Sequence, residues 1–439
     1  MRENLFRFLS RREAPWMMVG LGLVLRLVTF LSPVNVPLYG DAWDYFHTAQ
    51  QLLKGEAFEP DWPPGLPYYL RGVMALLGDR EWIAKIAMLP MYLLCSLAVY
   101  RLILRFSDRC AASIALLALA VMPTFILVSV TPITQLPTAL LLAVLVLLVE
   151  SCLRKPSVGA VFGIGLSLAG LLLVRPSNLL LCVFVPLWLA WRTKKWMVAA
   201  LPGALILTSL SMWTYRAHEL TGRVIFINNA NSQNFFYGNN PWTPLYRTWW
   251  FGSHKEVSEG VPEEFRAEHR RIRSLPQADR DAAFSHAALS HIAERPDLFL
   301  VRTFARVRTF LAFDTFTAAQ FVKRGESQWA GVALLALDAV IYLNVLFGAI
   351  LLGLGSIDRR RWAILFGVSF GYAFPYFISF SHPTYHAPLL PLWAVLSSAA
   401  ASEWMQHRLK LKPSLLMGAV LLFAVLIQAE WLLDLRSRF

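Results

Sequence analysis

Hydrophobic positions along this chain fall into long unbroken runs separated by short polar breaks. Runs of roughly 17 to 25 apolar residues match a hydrocarbon core of about 30 Å. They are read near 15–33, 82–104, 110–130, 135–153, 158–174, 177–191, 196–214, 328–355, 362–381, 385–404 and 414–434. The pattern predicts an all-α polytopic membrane protein of about eleven transmembrane helices, carrying juxtamembrane helices in two long hydrophilic loops. The chain divides into three parts: a transmembrane module over 1–215 that holds the first loop at 34–81, a second loop over 216–327 with amphipathic helices, and C-terminal transmembrane helices over 328–439.

Composition agrees. Apolar residues make up 56% of the chain and charged residues 16%, and the mean hydropathy is +0.49, which excludes an ordinary soluble protein. A net charge of +13 would point to nucleic acid if the basic residues formed one patch. They instead form small clusters between apolar runs, at Arg2, Arg7, Arg11 and Arg12; Arg101, Arg105 and Arg109; Arg154 and Lys155; Arg192, Lys194 and Lys195; Arg359 to Arg361; and Arg408, Lys410 and Lys412. With the amino terminus cytoplasmic, alternation puts every one of these clusters inside. Both long loops and the C-terminus then lie on the periplasmic or extracellular face of the plasma (inner) membrane, and no nucleic-acid partner is expected. The apolar run from Pro15 to Ser32 has no small-residue cleavage site and is read as a helix that stays. None of the four cysteines lies in a long loop, so no disulfide framework is expected.

The first loop holds the densest chemistry. From Ala42 to Lys54, Tyr45, Ala49, Leu52 and Leu53 recur near helical spacing, Gly55 stops the segment and Asp41 can serve as N-cap. A short amphipathic helix on the membrane surface fits, with Asp41 and Asp44 facing the same way one turn apart. As an N-cap Asp41 is explained structurally; as a carboxylate at the mouth of a helix bundle it is equally a candidate general base. Trp62-Pro-Pro-Gly-Leu-Pro67 reads as a rigid turn that ends the acidic stretch Glu56, Glu59 and Asp61. Arg26 in the first apolar run and Lys85 at the start of the second are ionisable groups at membrane depth, and Arg175 sits in a hairpin; phosphate binding, ion pairing and snorkelling are all open to them.

These residues, in this order, resemble the GT-C glycosyltransferases, in the branch of protein O-mannosyltransferases and lipid A aminoarabinose transferases. The resemblance rests on Arg26, the first loop with Asp41 and Tyr45, the Pro63-Pro64 turn and Lys85. Further support comes from Leu173-Val-Arg-Pro176, Phe236-Tyr-Gly-Asn-Asn-Pro241, His291 to Arg302 and His382-Pro-Thr-Tyr-His386. It implies an inverting transferase that moves a hexosyl or pentosyl group from a polyprenyl-phosphate donor to a lipid, glycan or protein acceptor among membrane lipids. In that scheme Asp41 is the base and Asp44 assists it. The donor phosphate is held by Arg26, Lys85, Arg175, Arg302 and Arg306, while Tyr45, Asp61, His382, Tyr385 and His386 contact substrate. The chain departs from the family where Ala42 follows Asp41 and Thr384 precedes Tyr385.

No cofactor is expected, a divalent metal being the residual alternative, since His382 and His386 have no third ligand at a metal-binding spacing. Amides and aromatic rings from Asn228 to Trp250 suit either a sugar site or an interfacial belt. The rival readings are a transporter or lipid flippase, disfavoured because the ionisable residues cluster at one end of the spans and no repeat relates the halves, and a non-catalytic envelope assembly protein.

Overall fold

The computed structural model describes all residues except 1, 32–37, 39, 57, 59, 229–230, 247–260, 324–326, 356–358, 408–414 and 437–439. Asn229, Trp249, Trp250, Glu59, Arg408, Lys410 and Lys412 therefore lie outside the described residues. Among the described residues the chain is helical throughout, without strands. Each of the eleven apolar runs is helical. Six helices are long and apolar enough to cross a membrane, or seven if one bent pair counts as a span. Two of the others are shorter: Leu179–Thr193 has 15 residues and Leu390–Met405 has 16. At about 1.5 Å per residue such helices reach some 24 Å or less. The hairpin at Pro176–Asn178 and the 3-10 segment Pro383–Leu389 take up residues that the sequence pattern assigns to the spans.

The bent pair is Arg109–Val121 and Pro123–Val130, set at 69°. The apolar pattern reads it as one straight span, but Pro123 has no amide hydrogen for the Leu119 carbonyl. In the second half-helix the Thr124 N–H goes to Asp338 Oδ1 at 2.7 Å, which leaves the Ala120 carbonyl without its usual partner. Arg26 answers both: Nη2 donates to the Leu119 carbonyl at 3.1 Å and Nη1 to the Ala120 carbonyl at 3.4 Å. Its guanidinium also lies over the Tyr92 ring, 3.6 Å from the centroid.

The expected surface helix spans Asp41–Lys54 and ends at Gly55, whose φ of 73° is a left-handed conformation that glycine adopts freely. Its N-cap is Gly40, with no side-chain capping bond. The N-cap reading of Asp41 is thus corrected: Asp41 is the first helical residue. The proline turn is also shorter than expected, because a helix begins at Gly65 and runs to Leu77 with Pro67 in its first turn. Proline is tolerated there, where the N–H groups have no intrahelical partner.

The Met197–Thr221 helix continues past the expected boundary at 215. Beyond it come helices Asn231–Gly238, Glu263–Ser274, Gln277–Glu294, Pro296–Leu311 and Phe316–Lys323. A satellite core of Phe236, Tyr237, Val261, Phe265, Ile272, Phe284, Ala288 and Phe380 holds part of this region onto the bundle. The stretch His291 to Arg302, on which the resemblance partly rests, is divided between two helices: one ends before Arg295, and Pro296 starts the next.

Asp338 shares Thr124 with a second buried carboxyl, Asp314. The Thr124 hydroxyl lies 3.0 Å from Asp314 Oδ2 and 2.9 Å from Asp338 Oδ2. A hydroxyl has one proton and cannot donate to both; both contacts are satisfied when one carboxyl is neutral and donates to Thr124. Burial raises Asp314 above its ordinary 3.8, against hydrogen bonds from the Phe316 N–H, Thr124 and Thr317. A raised carboxyl binds more protons folded than unfolded. Its stabilising contribution is therefore full below 3.8 and is lost as pH rises through the folded value. Asp314→Asn is expected to flatten that decline in thermal unfolding scans across pH in detergent. Thr124→Val, which leaves both carboxyls without their shared partner, is expected to cost about 1–3 kcal/mol.

Candidate functional site

Three stretches distant in sequence meet at one end of the bundle: the Asp41 helix, the hairpin at Arg175, and the 3-10 segment that carries Tyr385. Tyr45 is buried and sits within electrostatic reach of Asp41, Arg175 and Tyr385, with Thr134 as a side-chain hydrogen-bond partner. Tyr385 in turn feels Arg175 and Asp41. Burial raises the Tyr45 phenol well above its ordinary range, and Asp41 pushes the same way, so it is a neutral hydroxyl. Asp44 is half-buried. Its carboxyl is raised first by burial and then by Asp41 and Asp61, while His47 opposes. Asp41 itself is exposed, as is Asp61.

Arg175 follows directly on the Val158–Val174 helix. Its Nη1 donates to the Tyr372 hydroxyl at 2.9 Å. The guanidinium carbon stands 5.1 Å from the centroid of the Tyr385 ring and 5.6 Å from that of Tyr376. No carboxylate among the described residues pairs with it. Its partners are one phenol and two aromatic faces, which orient a cation without cancelling its charge.

The other arginines are placed differently. Arg26 is 0% exposed and both its terminal nitrogens are taken up by the helix break. Arg302 and Arg306 share a helical face, as their spacing predicts, but that face turns into the protein. Arg302 donates to the carbonyls of Asn240 (2.9 Å) and Thr243. Arg306 donates to the carbonyls of Gly238, Phe377 and Ile378 and to Asn239 Oδ1. Both guanidinium groups thus tie the ends of neighbouring helices together. Burial lowers Arg302 to about 10 and Arg306 to about 9. Lys85 is buried at the loop end of the bundle, where neighbouring Glu81 accepts from the Leu38 N–H at 2.9 Å.

His382 and His386 do not act together. His382 caps the 3-10 segment by accepting from the Thr384 N–H, and burial lowers it to about 4. His386 faces the interior, its Nδ1 2.9 Å from the Phe310 carbonyl and its ring stacked on Tyr342 at 4.5 Å. Among the described residues no three or more His, Cys, Asp or Glu side chains are grouped to hold a metal ion. The amides of Asn239 and Asn240 are also spent internally, on the Phe235 and Phe236 carbonyls at 3.0 and 2.9 Å.

Several residues of the cluster do not stand out in the sequence. Tyr372 and Tyr376 lie one turn apart inside an apolar run, where nothing distinguishes a phenol from its apolar neighbours. Ser177 bonds the Tyr376 hydroxyl at 2.7 Å, and Thr134 meets Tyr45. Gly65 is the fifth: a Cβ there would stand 2.8 Å from Val174 Cγ2 and 3.0 Å from the Leu173 carbonyl oxygen. The first loop thus seats directly on the backbone that leads into Arg175.

Residues 61–214 match the family model for dolichyl-phosphate-mannose-protein mannosyltransferases. The match takes in Asp61, Gly65, Lys85, Thr134 and Arg175, and leaves out Asp41 and Tyr385. The oligosaccharyltransferase AglB of Archaeoglobus fulgidus, solved with an inhibitory peptide and a dolichol-phosphate, aligns at 14% identity and TM-score 0.50, covering 95% of this chain and 54% of that one. The apo form of the A. fulgidus oligosaccharyltransferase aligns at 13% and TM-score 0.51, with coverage of 95% and 54%. ArnT of Cupriavidus metallidurans, bound to undecaprenyl phosphate, gives 14% and TM-score 0.45 over 89% of this chain and 77% of that one. The chain spans about half the length of the oligosaccharyltransferases it matches. The curated proteins give no match. The GT-C resemblance read from the motifs holds in the fold.

Gly65→Ala is expected to destabilise by about 1–3 kcal/mol through overpacking against an unyielding backbone, read as a lowered melting temperature in detergent. The loss should come without altering any titratable group of the cluster.

Proposed function

From a GT-C fold and a mannosyltransferase-family match over residues 61–214 as premises, we propose that the chain is an inverting glycosyltransferase acting on a polyprenyl-phosphate-linked sugar at the non-cytoplasmic face of the membrane. What supports this reading is that exposed Asp41 and half-buried Arg175, a cation held by neutral partners, both lie within electrostatic reach of Tyr45 and Tyr385. An exposed carboxylate suits proton abstraction, and an uncompensated guanidinium suits an anionic leaving group.

In the reaction, an acceptor hydroxyl oxygen forms a bond to the anomeric carbon while the bond from that carbon to the phosphate oxygen breaks. The hydroxyl proton passes to Asp41, and the electron pair leaves with the polyprenyl phosphate, whose oxygens Arg175 receives. Asp44 orients the acceptor, and Lys85 is a second cation at this end of the bundle. The phosphate role expected of Arg26, Arg302 and Arg306 passes to Arg175, because their terminal nitrogens are already engaged by carbonyls and amides. His386 drops out of the substrate contacts for the same reason, its ring being buried against Phe310 and Tyr342. Tyr45, Asp61, Tyr385 and His382 remain.

The acceptor is a lipid, glycan or protein hydroxyl. Asp41→Asn keeps shape and removes the base. With purified protein and a polyprenyl-phosphate sugar, it is expected to lower transfer about 10²- to 10⁴-fold and to leave binding of the donor lipid unchanged. Transfer at the wild-type rate by the folded variant would remove Asp41 from the mechanism.

A further inference from the structure

Tyr372 is wholly buried at 0% exposure, two turns before the end of the Arg359–Ile378 helix. A buried phenol must place its one proton and still has a lone pair to offer. The proton goes to the Tyr385 carbonyl at 3.0 Å, so the lone pair is what meets Arg175 Nη1 at 2.9 Å. One turn on, the Tyr376 hydroxyl is 3.5 Å from that of Tyr372 and 2.7 Å from Ser177 Oγ. Its ring lies 4.9 Å from the Tyr385 ring. A single helix therefore bonds both the hairpin that carries Arg175 and the segment that carries Tyr385.

The usual way to fix an arginine is a bidentate carboxylate, which also neutralises it. Here the orienting partner is a neutral acceptor. The geometry points to Tyr372 as a positioning residue that aims the Arg175 guanidinium and locks it to the Tyr385 segment, while leaving its positive charge for an anionic headgroup. This inference rests on the reading that Arg175 receives the lipid phosphate, and it adds a residue that neither the motif order nor the family match over 61–214 contains. Tyr376 braces the same joint from Ser177 but accepts no hydrogen bond from Arg175.

The test measures binding of undecaprenyl phosphate to the purified full chain in nanodiscs. It compares the wild type with Arg175→Gln, Tyr372→Phe, Tyr376→Phe and the double variant Arg175→Gln/Tyr372→Phe. Expected are losses of about 10- to 100-fold for Arg175→Gln and about 5- to 10-fold for Tyr372→Phe, as for one ordinary hydrogen bond, with Tyr376→Phe near wild type. In the Arg175→Gln background, Tyr372→Phe is expected to add nothing, because its effect passes through Arg175. A role in packing alone predicts the same loss in both backgrounds, and that result overturns the inference. Wild-type affinity in Tyr372→Phe with a large loss in Arg175→Gln also overturns it, while the phosphate reading stands. Wild-type affinity in Arg175→Gln overturns the phosphate reading and the inference with it.

Difluorotyrosine placed at 372 preserves shape and supplies the comparison if Tyr372→Phe does not fold. A weaker acceptor there is expected to reduce affinity several-fold, and unchanged affinity would count against the role.

Discussion

A backbone group in hydrocarbon has no water to fall back on, and breaking a membrane helix sets free groups that must find partners inside the protein. The break at Pro123 is where this chain meets that constraint. Arg26 supplies donors to the carbonyls released before the break, and Asp338 takes the N–H released after it. A positive and a negative side chain thus enter the bundle for the sake of one proline, and each is held by the polar backbone it serves. The resulting 69° change of direction delivers the chain, through Thr131 to Thr134, to the end of the bundle where Thr134 meets Tyr45.

That end is assembled by close approach rather than by charge. Gly65 brings the first loop against the Leu173 and Val174 backbone, and Arg175 follows directly on. From the other side, Tyr372 reaches both Arg175 and the Tyr385 carbonyl. The second long loop contributes in a different manner. Arg302 and Arg306 draw the Asn239–Thr243 turn and the end of the Arg359–Ile378 helix into one block, and Arg308 ties their own helix, Pro296–Leu311, to Glu430 near the C-terminal end. These three cations stabilise the frame around the cluster.

Much of this was legible in the sequence, for physical reasons that can be named. The Asp41–Lys54 helix announces itself by periodicity and by Gly55, and the apolar runs announce the bundle, because both are local patterns. Arg175 and Tyr385 emerge from the order of motifs. Arg302 and Arg306 fall on one helical face as their spacing predicts, yet periodicity does not say whether a face meets solvent or carbonyl groups. The break at Pro123 stays hidden because hydropathy does not register a missing N–H. Asp338 carries a readable signal, an acidic residue inside an apolar run, although the apolar pattern around it absorbs it into a span. Tyr372 and Gly65 have none: their importance lies in contacts more than 100 positions away in the chain, with Arg175 in one case and with Leu173 in the other.

Arg175 enters the resting protein with its charge uncompensated, and this bears on how a catalytic cycle would end. In the proposed reaction the donor is a phosphodiester with a single negative charge, whereas the carrier left behind is a monoester that can hold two. A cation oriented by phenols and aromatic faces has no carboxylate of its own to return to when the sugar has gone. In that reaction it would therefore hold the spent carrier more firmly than the loaded one. Under the proposed reaction, departure of the carrier would then be slowed relative to entry of the donor, and carrier phosphate accumulating in the surrounding leaflet would compete with the donor for Arg175.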